Sequence, residues 1–491
     1  MNTQICLPIP NQLYLWLHDE FLCDLEAKYY TFICRLIHNT INNIRINKQD
    51  YALIDRDHRN KIDIRMYGAV SYLDTELYEF HGKNKGHCVT TKQAKKIELY
   101  YAEDYEFAKQ ARRYHLGNWF YAEFLARYKS VLVDDFTDEF VNLYTGKPID
   151  KSVYFKTQCK YKKADKPIIR KALKAIERRV FNRSAVIEHL HSFEIEDSKN
   201  KDIFSSFLSD LYSWITILVS GIQKESDNIY SYQPKYNINS SGRVSEIGSG
   251  LQSCSRRMKY ASIQGIDDIH NYDLKGSQVN GLIHQFNLQD LDTEWLENYV
   301  NDDNAKQLYA DQVGVTVNTF KQCLLAFIMG GSLSAKSASS VFNYLKNDPH
   351  INQDHFKACE RLKTLKELLA PVSKSLNKWK ASIYSGKYIE LGTKYGRVYG
   401  GNKLIKNYLG IPYCVGPGNL SRNKLAARIL QGQESAFIHN LTVLSSKYGF
   451  KVIGNEHDGI ITLGQIPKEA TEEVKEIIGV SEFSLVEKDI L

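Results

Sequence analysis

The spacing of apolar positions changes character along this chain. Residues 1–150 set Leu, Tyr and Ile clusters among charged side chains with few glycines, which predicts a mostly helical region. Pro167 then opens an amphipathic pattern. Ile168, Ile169, Leu173, Ile176 and Val180 recur at helical spacing with basic residues on the other face, predicting a helix through Val180. A second helix is expected over Asp202–Gln223. The polar segment Ser226–Gly250 carries Pro234 and three glycines, and it places the main boundary near 225–240.

Beyond that boundary strands and helices mix. Ile266–Asp273 reads as a strand ending in an acid, and Val317–Gly330 as a buried helix. Phe342–Ser382 reads as a helical stretch broken at Pro349 and Pro371, and Tyr388–Tyr399 as a hairpin. Leu420–Lys447 reads as a long helix. Two strands, Phe450–Asn455 and Ile460–Leu463, flank the turn Glu456-His457-Asp458-Gly459. A helix over 470–478 and a strand over Phe483–Glu487 complete the pattern.

The chain has 491 residues, 43% hydrophobic and 25% charged, which excludes a largely disordered protein and fits about three domains. Its net charge of +7 is concentrated. Between Lys156 and Arg183 eleven basic residues face two acidic ones, a net +9, so the remainder is at −2. Nine cysteines stand singly without C-x-x-C spacing, which points to reduced thiols in a cytoplasmic setting rather than a cysteine metal site. His87-Cys88 and the pair His189 and His191 form no closed ligand set. Pro8, Pro10, Asp19 and Glu20 interrupt the start, so no leader is expected. The apolar run Trp214–Val219 is too short for a membrane span, and no membrane partner is expected.

Two acids stand out by context. Asp273 ends an apolar strand, and Asp458 sits at a hairpin tip. Acids at strand ends project from rigid backbone. Two of them together can hold two divalent cations about 3.5–4 Å apart, the arrangement used in phosphoryl displacement. Magnesium suits this role because it needs only one or two carboxylates beside water and phosphate, and manganese can replace it. Taken singly, each Asp is as well explained by its turn. Lys321, Leu325 and Met329 lie at i, i+4 and i+8, one helical stripe. A lysine leading such a stripe can hold a triphosphate while the stripe supports a base; a core helix with its lysine reaching solvent gives the same pattern. Asp74-Thr75-Glu76 has the Asp-x-Glu form with which metal-dependent exonucleases begin, but further carboxylates are not placed around it, and no proofreading site is expected.

Taken in order, these segments resemble the motifs of the family A DNA polymerases, the bacterial DNA polymerase I type. Ser241-Gly242-Arg243-Val244-Ser245 with Leu251-Gln252 resembles the segment that touches the primer–template duplex. Asp273 with Ser277-Gln278 resembles motif A, Lys321 through Met329-Gly330 the fingers helix, Ile429-Leu430-Gln431-Gly432 the segment before motif C, and His457-Asp458 motif C. The resemblance covers about residues 230–491. Val317 replaces the Arg usual one turn before the lysine, Met329 the usual Tyr, and Gly459 the Glu usual after the motif C acid. The Ser-Gln pair stands two residues further from Asp273 than is usual, which puts Gln278 at the place of the sugar gate. The related single-subunit phage RNA polymerases have Ser at the place of Gly459, and Gly314-Val315-Thr316 is similar to a segment of those enzymes.

The resemblance implies an α+β right-hand polymerase with an antiparallel palm sheet and helical fingers and thumb. Residues 1–150 would be an added helical domain of unknown role, 151–235 a basic thumb-like region, and 236–491 palm and fingers, the fingers over about 300–390. The implied activity is template-directed DNA synthesis from dNTPs on a primer–template in the cytoplasm of a bacterial cell or phage-infected host. Asp273 and Asp458 would be metal ligands, and Lys321 a catalytic cation. Lys321, Leu325, Met329 and Gln278 would contact the nucleotide. Arg243, Gln431 and His457, with Lys174, Arg178 and Arg179 of the basic stretch, would contact nucleic acid. A single-subunit RNA polymerase or primase-like enzyme, and an inactive polymerase fold that only binds nucleic acid, are the alternatives.

Overall fold

In the computed structural model the described residues are 7–19, 139–151, 164–194, 201–302, 304–385, 403–415 and 420–488, with scattered positions between 34 and 155. They form a mixed α/β fold whose sheets are all antiparallel, with helices as the larger component. In the first 150 residues the described positions form the helix Asn11–Leu17 and five short strands. The expected hairpin over Tyr388–Tyr399, Asp74-Thr75-Glu76, His87-Cys88 and the lysines at 156–163 lie outside the described residues.

Two hydrophobic cores organise the described residues. The larger is built around the four-stranded sheet, whose strand order is Lys451–Asn455, Gly459–Leu463, Ile269–Leu274, Leu485–Glu487. The helices Ser277–Asn287, Val317–Ile328, Ala370–Ser385 and Arg422–Tyr448 pack in the same core. Trp379 is fully buried in it, and its indole N–H donates to Gln285 Oε1 at 3.2 Å, so this large ring is polar-satisfied as well as packed. The smaller core gathers Leu7–Leu17, Phe140–Leu143, Phe181–Leu190, the helix Lys201–Ser220 and Leu251–Met258. Residues 164–176 belong to the larger core and 181–232 mostly to the smaller one, so the basic stretch bridges the two.

The helix Lys201–Ser220 revises one expectation. Its segment Ile203–Ser220 is long and apolar enough by length and composition to cross a membrane, and 72% of it is buried inside the fold. The six-residue run that the sequence offered was the most apolar part of a longer buried helix.

Local signals explain most element ends. Ser421 caps the helix Arg422–Tyr448 by accepting from Lys424 N, and Gly449 closes it in the left-handed region. Thr316 caps Val317–Ile328, and Asp348 accepts from both the Thr316 N–H and its hydroxyl at 2.9 Å. The helical stretch after Ser340 breaks into Ser340–Lys346, His355–Leu368 and Ala370–Ser385, the last with Pro371 in its first turn. The helix opened by Pro167 stops at Ala175 rather than running through Val180, because Arg179–Asn182 pairs as a strand with Ile229–Tyr232. Cross-strand hydrogen bonds outweigh the remaining helical periodicity there.

The centre of the large sheet fixes the rest. Asp273 pairs with Gly459 and Tyr272 with Ile460, and the Leu274 N–H donates to the Asp458 carbonyl at 2.9 Å. A Cβ at position 459 would lie 2.6 Å from the Tyr272 carbonyl oxygen, so only glycine fits. Gly459→Ala is expected to destabilise the fold by about 1–3 kcal/mol, the usual range for overpacking. Urea unfolding measures this, and a loss under about 0.5 kcal/mol would show that the hairpin is not pressed against its neighbour.

Candidate active site

The pairing of Asp273 with Gly459 brings the two sequence-predicted acids to one end of the sheet. Both line a cleft of about 590 Å³, together with Glu456, Arg256, Lys259 and Lys488. Burial pushes the Asp273 carboxyl above its ordinary range, and the negative charge of Asp458 adds to that rise while Lys488 opposes it. The Lys488 ammonium donates to Asp273 Oδ2. Asp458 Oδ2 lies 3.4 Å from the Ser277 hydroxyl. Among the described residues, no group of three or more His, Cys, Asp or Glu side chains stands where it would hold a metal ion.

Behind the acids lies a layer of buried charge that the sequence did not reveal. Glu434, on the helix Arg422–Tyr448, is fully buried, pairs with Arg243 and accepts from Ser277 Oγ at 2.6 Å. Burial raises its pKa, and Arg243 and Ser277 work against that rise. Ser277 therefore lies between the two carboxylates, giving its one hydroxyl proton to Glu434 with Asp458 alongside. It can do so because Gly276, at φ +56°, turns the chain directly into the helix Ser277–Asn287. Gln278 falls in the first turn of this helix, half-buried, while its neighbour Ser277 makes the contacts to the acids.

Glu456 organises the other side. Its carboxylate accepts from Arg179 Nη1 at 2.9 Å and from Lys259 Nζ at 2.6 Å. Arg179 is almost entirely buried beside Gly454, where a Cβ would come within 2.9 Å of Nη1. Its partner Arg178 donates to the Ser231 hydroxyl at 2.8 Å, the Ser231 carbonyl at 2.8 Å and the Gly221 carbonyl at 3.2 Å. Both arginines, expected on a solvent-facing basic helix, are instead engaged inside the fold. Lys174, on the last turn of Pro167–Ala175, is exposed.

The remaining predicted residues fall around this centre. Arg243 follows Gly242 and pairs with Glu434, with its Nε buried and unbonded. His457 sits at the hairpin tip in the left-handed region at φ +74°, and its buried Nδ1 has no hydrogen-bond partner. Burial, then Arg243, lowers its pKa. Gln252 holds the two segments together, donating to the Val244 carbonyl at 3.2 Å and the Asn455 carbonyl at 2.6 Å. Its amide is thereby committed within the fold. Gln431 is half-buried on the helix that carries Glu434.

Lys321 and Leu325 are exposed on Val317–Ile328 and Met329 is half-buried, whereas Phe320, Cys323, Leu324, Phe327 and Ile328 face the core. The stripe is thus an open face, outside the lining of the acid cleft. Its end is tied to the long helix, since Asn423 Nδ2 donates to the Gly330 carbonyl at 3.1 Å.

Neither a family model nor a curated protein matches this chain. Among solved structures, the POL domain of Pol1 from M. smegmatis in complex with DNA primer-template and dNTP is similar at a TM-score of 0.38 and 14% identity. The match covers 61% of this chain and 54% of that one.

Glu246, on the strand Val244–Glu246, is buried behind the hairpin and accepts from the Gln252 N–H at 3.2 Å. Burial raises its pKa to about 7, against the lowering by Arg179. The folded protein therefore keeps a proton that the unfolded chain releases near 4.5. The resulting stability is full below the unfolded pKa and is lost as pH rises through 7. Glu246→Gln, neutral throughout, is expected to flatten the profile and to exceed the wild type at pH 8 by up to about 3 kcal/mol. Urea unfolding at pH 5 and pH 8 compares them, and parallel profiles would exclude a protonated Glu246.

Proposed function

We propose that this chain is a template-directed DNA polymerase, transferring a nucleotidyl group from a dNTP to a primer 3′-hydroxyl. The observation that carries the reading is the convergence of Asp273 and Asp458 on one cleft, imposed by the Asp273–Gly459 pairing. Four cations line the cleft, Arg179, Arg256, Lys259 and Lys488, and among them only Lys488 is ion-paired to an acid of the pair. Lys488 contacts Asp273, and the Ser277 hydroxyl stands 3.4 Å from Asp458. Two carboxylates so placed fit magnesium, or manganese in its place. Such ions, when bound, stabilise charge on the attacking and leaving oxygens.

The chain's own residues divide the remaining work. Ser277 and Glu434 hold the Asp458 side of the cleft, and Arg179 and Lys259 hold the hairpin through Glu456. Lys321 supplies a catalytic cation to the triphosphate, with exposed Leu325 and half-buried Met329 as the apolar stripe beneath a base. Gln278 faces the sugar. Arg243, Gln431 and His457 meet the primer–template, and Lys174 contributes backbone charge, so duplex binding weakens with salt. Arg178 and Arg179 act on this surface by shaping it rather than by touching phosphate.

The Tyr272 carbonyl leaves no room for any Cβ at position 459, so the Glu of DNA polymerases and the Ser of the single-subunit RNA polymerases are both excluded there, and Gly459 does not separate the two readings.

Primer extension on one template, with dNTPs and NTPs in parallel, separates the readings. Wild type is expected to extend with dNTPs. Asp273→Asn and Asp458→Asn should each lower extension by about 10²–10³-fold or more while duplex binding stays within about twofold, because the lost charge acts at the transition state. Preference for NTPs would select the RNA polymerase reading. Duplex binding without extension by either would leave a nucleic-acid-binding fold.

A further inference from the structure

The strand Leu485–Glu487 covers the side of Asp273 that faces away from Gly459. Asp273 pairs with Val486, and the Lys488 N–H donates to the Asn271 carbonyl at 2.8 Å. Alternation along paired strands puts the side chains of residues 271, 273, 486 and 488 on one face. Lys488 therefore starts one diagonal step from Asp273 and reaches it across the sheet. Its side chain is 52% exposed, against 23% for Asp273, so the ammonium enters from solvent and can leave without disturbing the core. The other cations near the acids are differently placed. Arg179 and Lys259 are both held by Glu456, and Arg256 lines the cleft without an ion pair to Asp273 or Asp458.

We propose that Lys488 is a built-in counter-cation for the acid pair, seated on Asp273 in the metal-free cleft and displaced when a divalent cation binds there. This rests on the acid-pair reading above and adds a residue that sets how much divalent cation the site requires. The two carboxylates repel each other, and Lys488 relieves that repulsion in the metal-free state. The same contact must be broken before Asp273 can take a metal ion, so Lys488 raises the cation concentration at which the site fills. A half-exposed ion pair of this kind is worth enough to shift a binding constant by about fivefold.

The test is manganese binding to the full chain without nucleotide or nucleic acid, read by the electron paramagnetic resonance signal of the free ion. Lys488→Met, which keeps the length and removes the charge, is expected to bind manganese about fivefold more tightly than wild type. Lys488→Arg is expected to bind like wild type. Thermal unfolding gives a second readout: metal-free Lys488→Met should melt lower than wild type, and magnesium should narrow the gap. Asp273→Asn should remove the site in either background. If Asp273→Asn removes binding but Lys488→Met binds no more tightly than wild type, the role of Lys488 is overturned and the acid pair stands. If binding ignores Asp273→Asn, or no variant binds, the acid pair falls and this inference falls with it.

Discussion

The backbone of Tyr272 and the Cα of Gly459 approach so closely that no side chain can stand between them, and the candidate site depends on that approach. Pairing here sets Asp273 opposite Gly459, one residue from Asp458 in the hairpin turn, and the Leu274 N–H holds the Asp458 carbonyl. A slip of one residue would turn Asp273 to the opposite face of the sheet and dissolve the acid pair. The hairpin tip, the turn into Ser277–Asn287 and the edge strand Leu485–Glu487 all take their positions from this register.

Around that centre the protein buries charge at some expense. Taking ions out of water costs several kcal/mol each unless geometry and hydrogen bonds compensate. The buried ions around the acids have partners. Glu434 has Arg243 and Ser277, and Arg179 has Glu456, which Lys259 also holds. These pairs contribute little net stability, but they fix geometry, because a buried charge cannot leave its partner cheaply. They hold the helix Arg422–Tyr448, the segment around Arg243 and the acid hairpin in one arrangement. Flexible lysines remain at the rim, where Lys488, Lys174 and Lys321 keep access to solvent.

Much of this was legible in the sequence because it is local. The helices Val317–Ile328, Arg422–Tyr448 and Lys468–Ile478 lie within a few residues of their expected bounds, since caps and 3.6-residue periodicity are short-range signals. Asp273 and Asp458 were recognisable because each ends or begins an apolar strand. What the sequence hid is long-range. Arg179 continues a helical and basic pattern, and only pairing with Tyr232 makes it a strand residue with its charge directed inward. Glu434 and Lys488 carry no local signal, as a Glu in a long helix and a Lys after a strand are both commonplace. Gln252 resembled a duplex contact, yet its amide is held by two carbonyls from separate segments.

The central claim is that one register brings Asp273 and Asp458 to a shared divalent cation. Iron(II) substituted into the site, with ascorbate and peroxide, generates hydroxyl radicals that cut the backbone close to the ion. The account expects two cuts in the same folded chain, one beside Asp273 and one beside Asp458, both suppressed by excess magnesium and both lost in Asp458→Asn. Cuts beside only one acid, or none at either while other positions are cut, would contradict it.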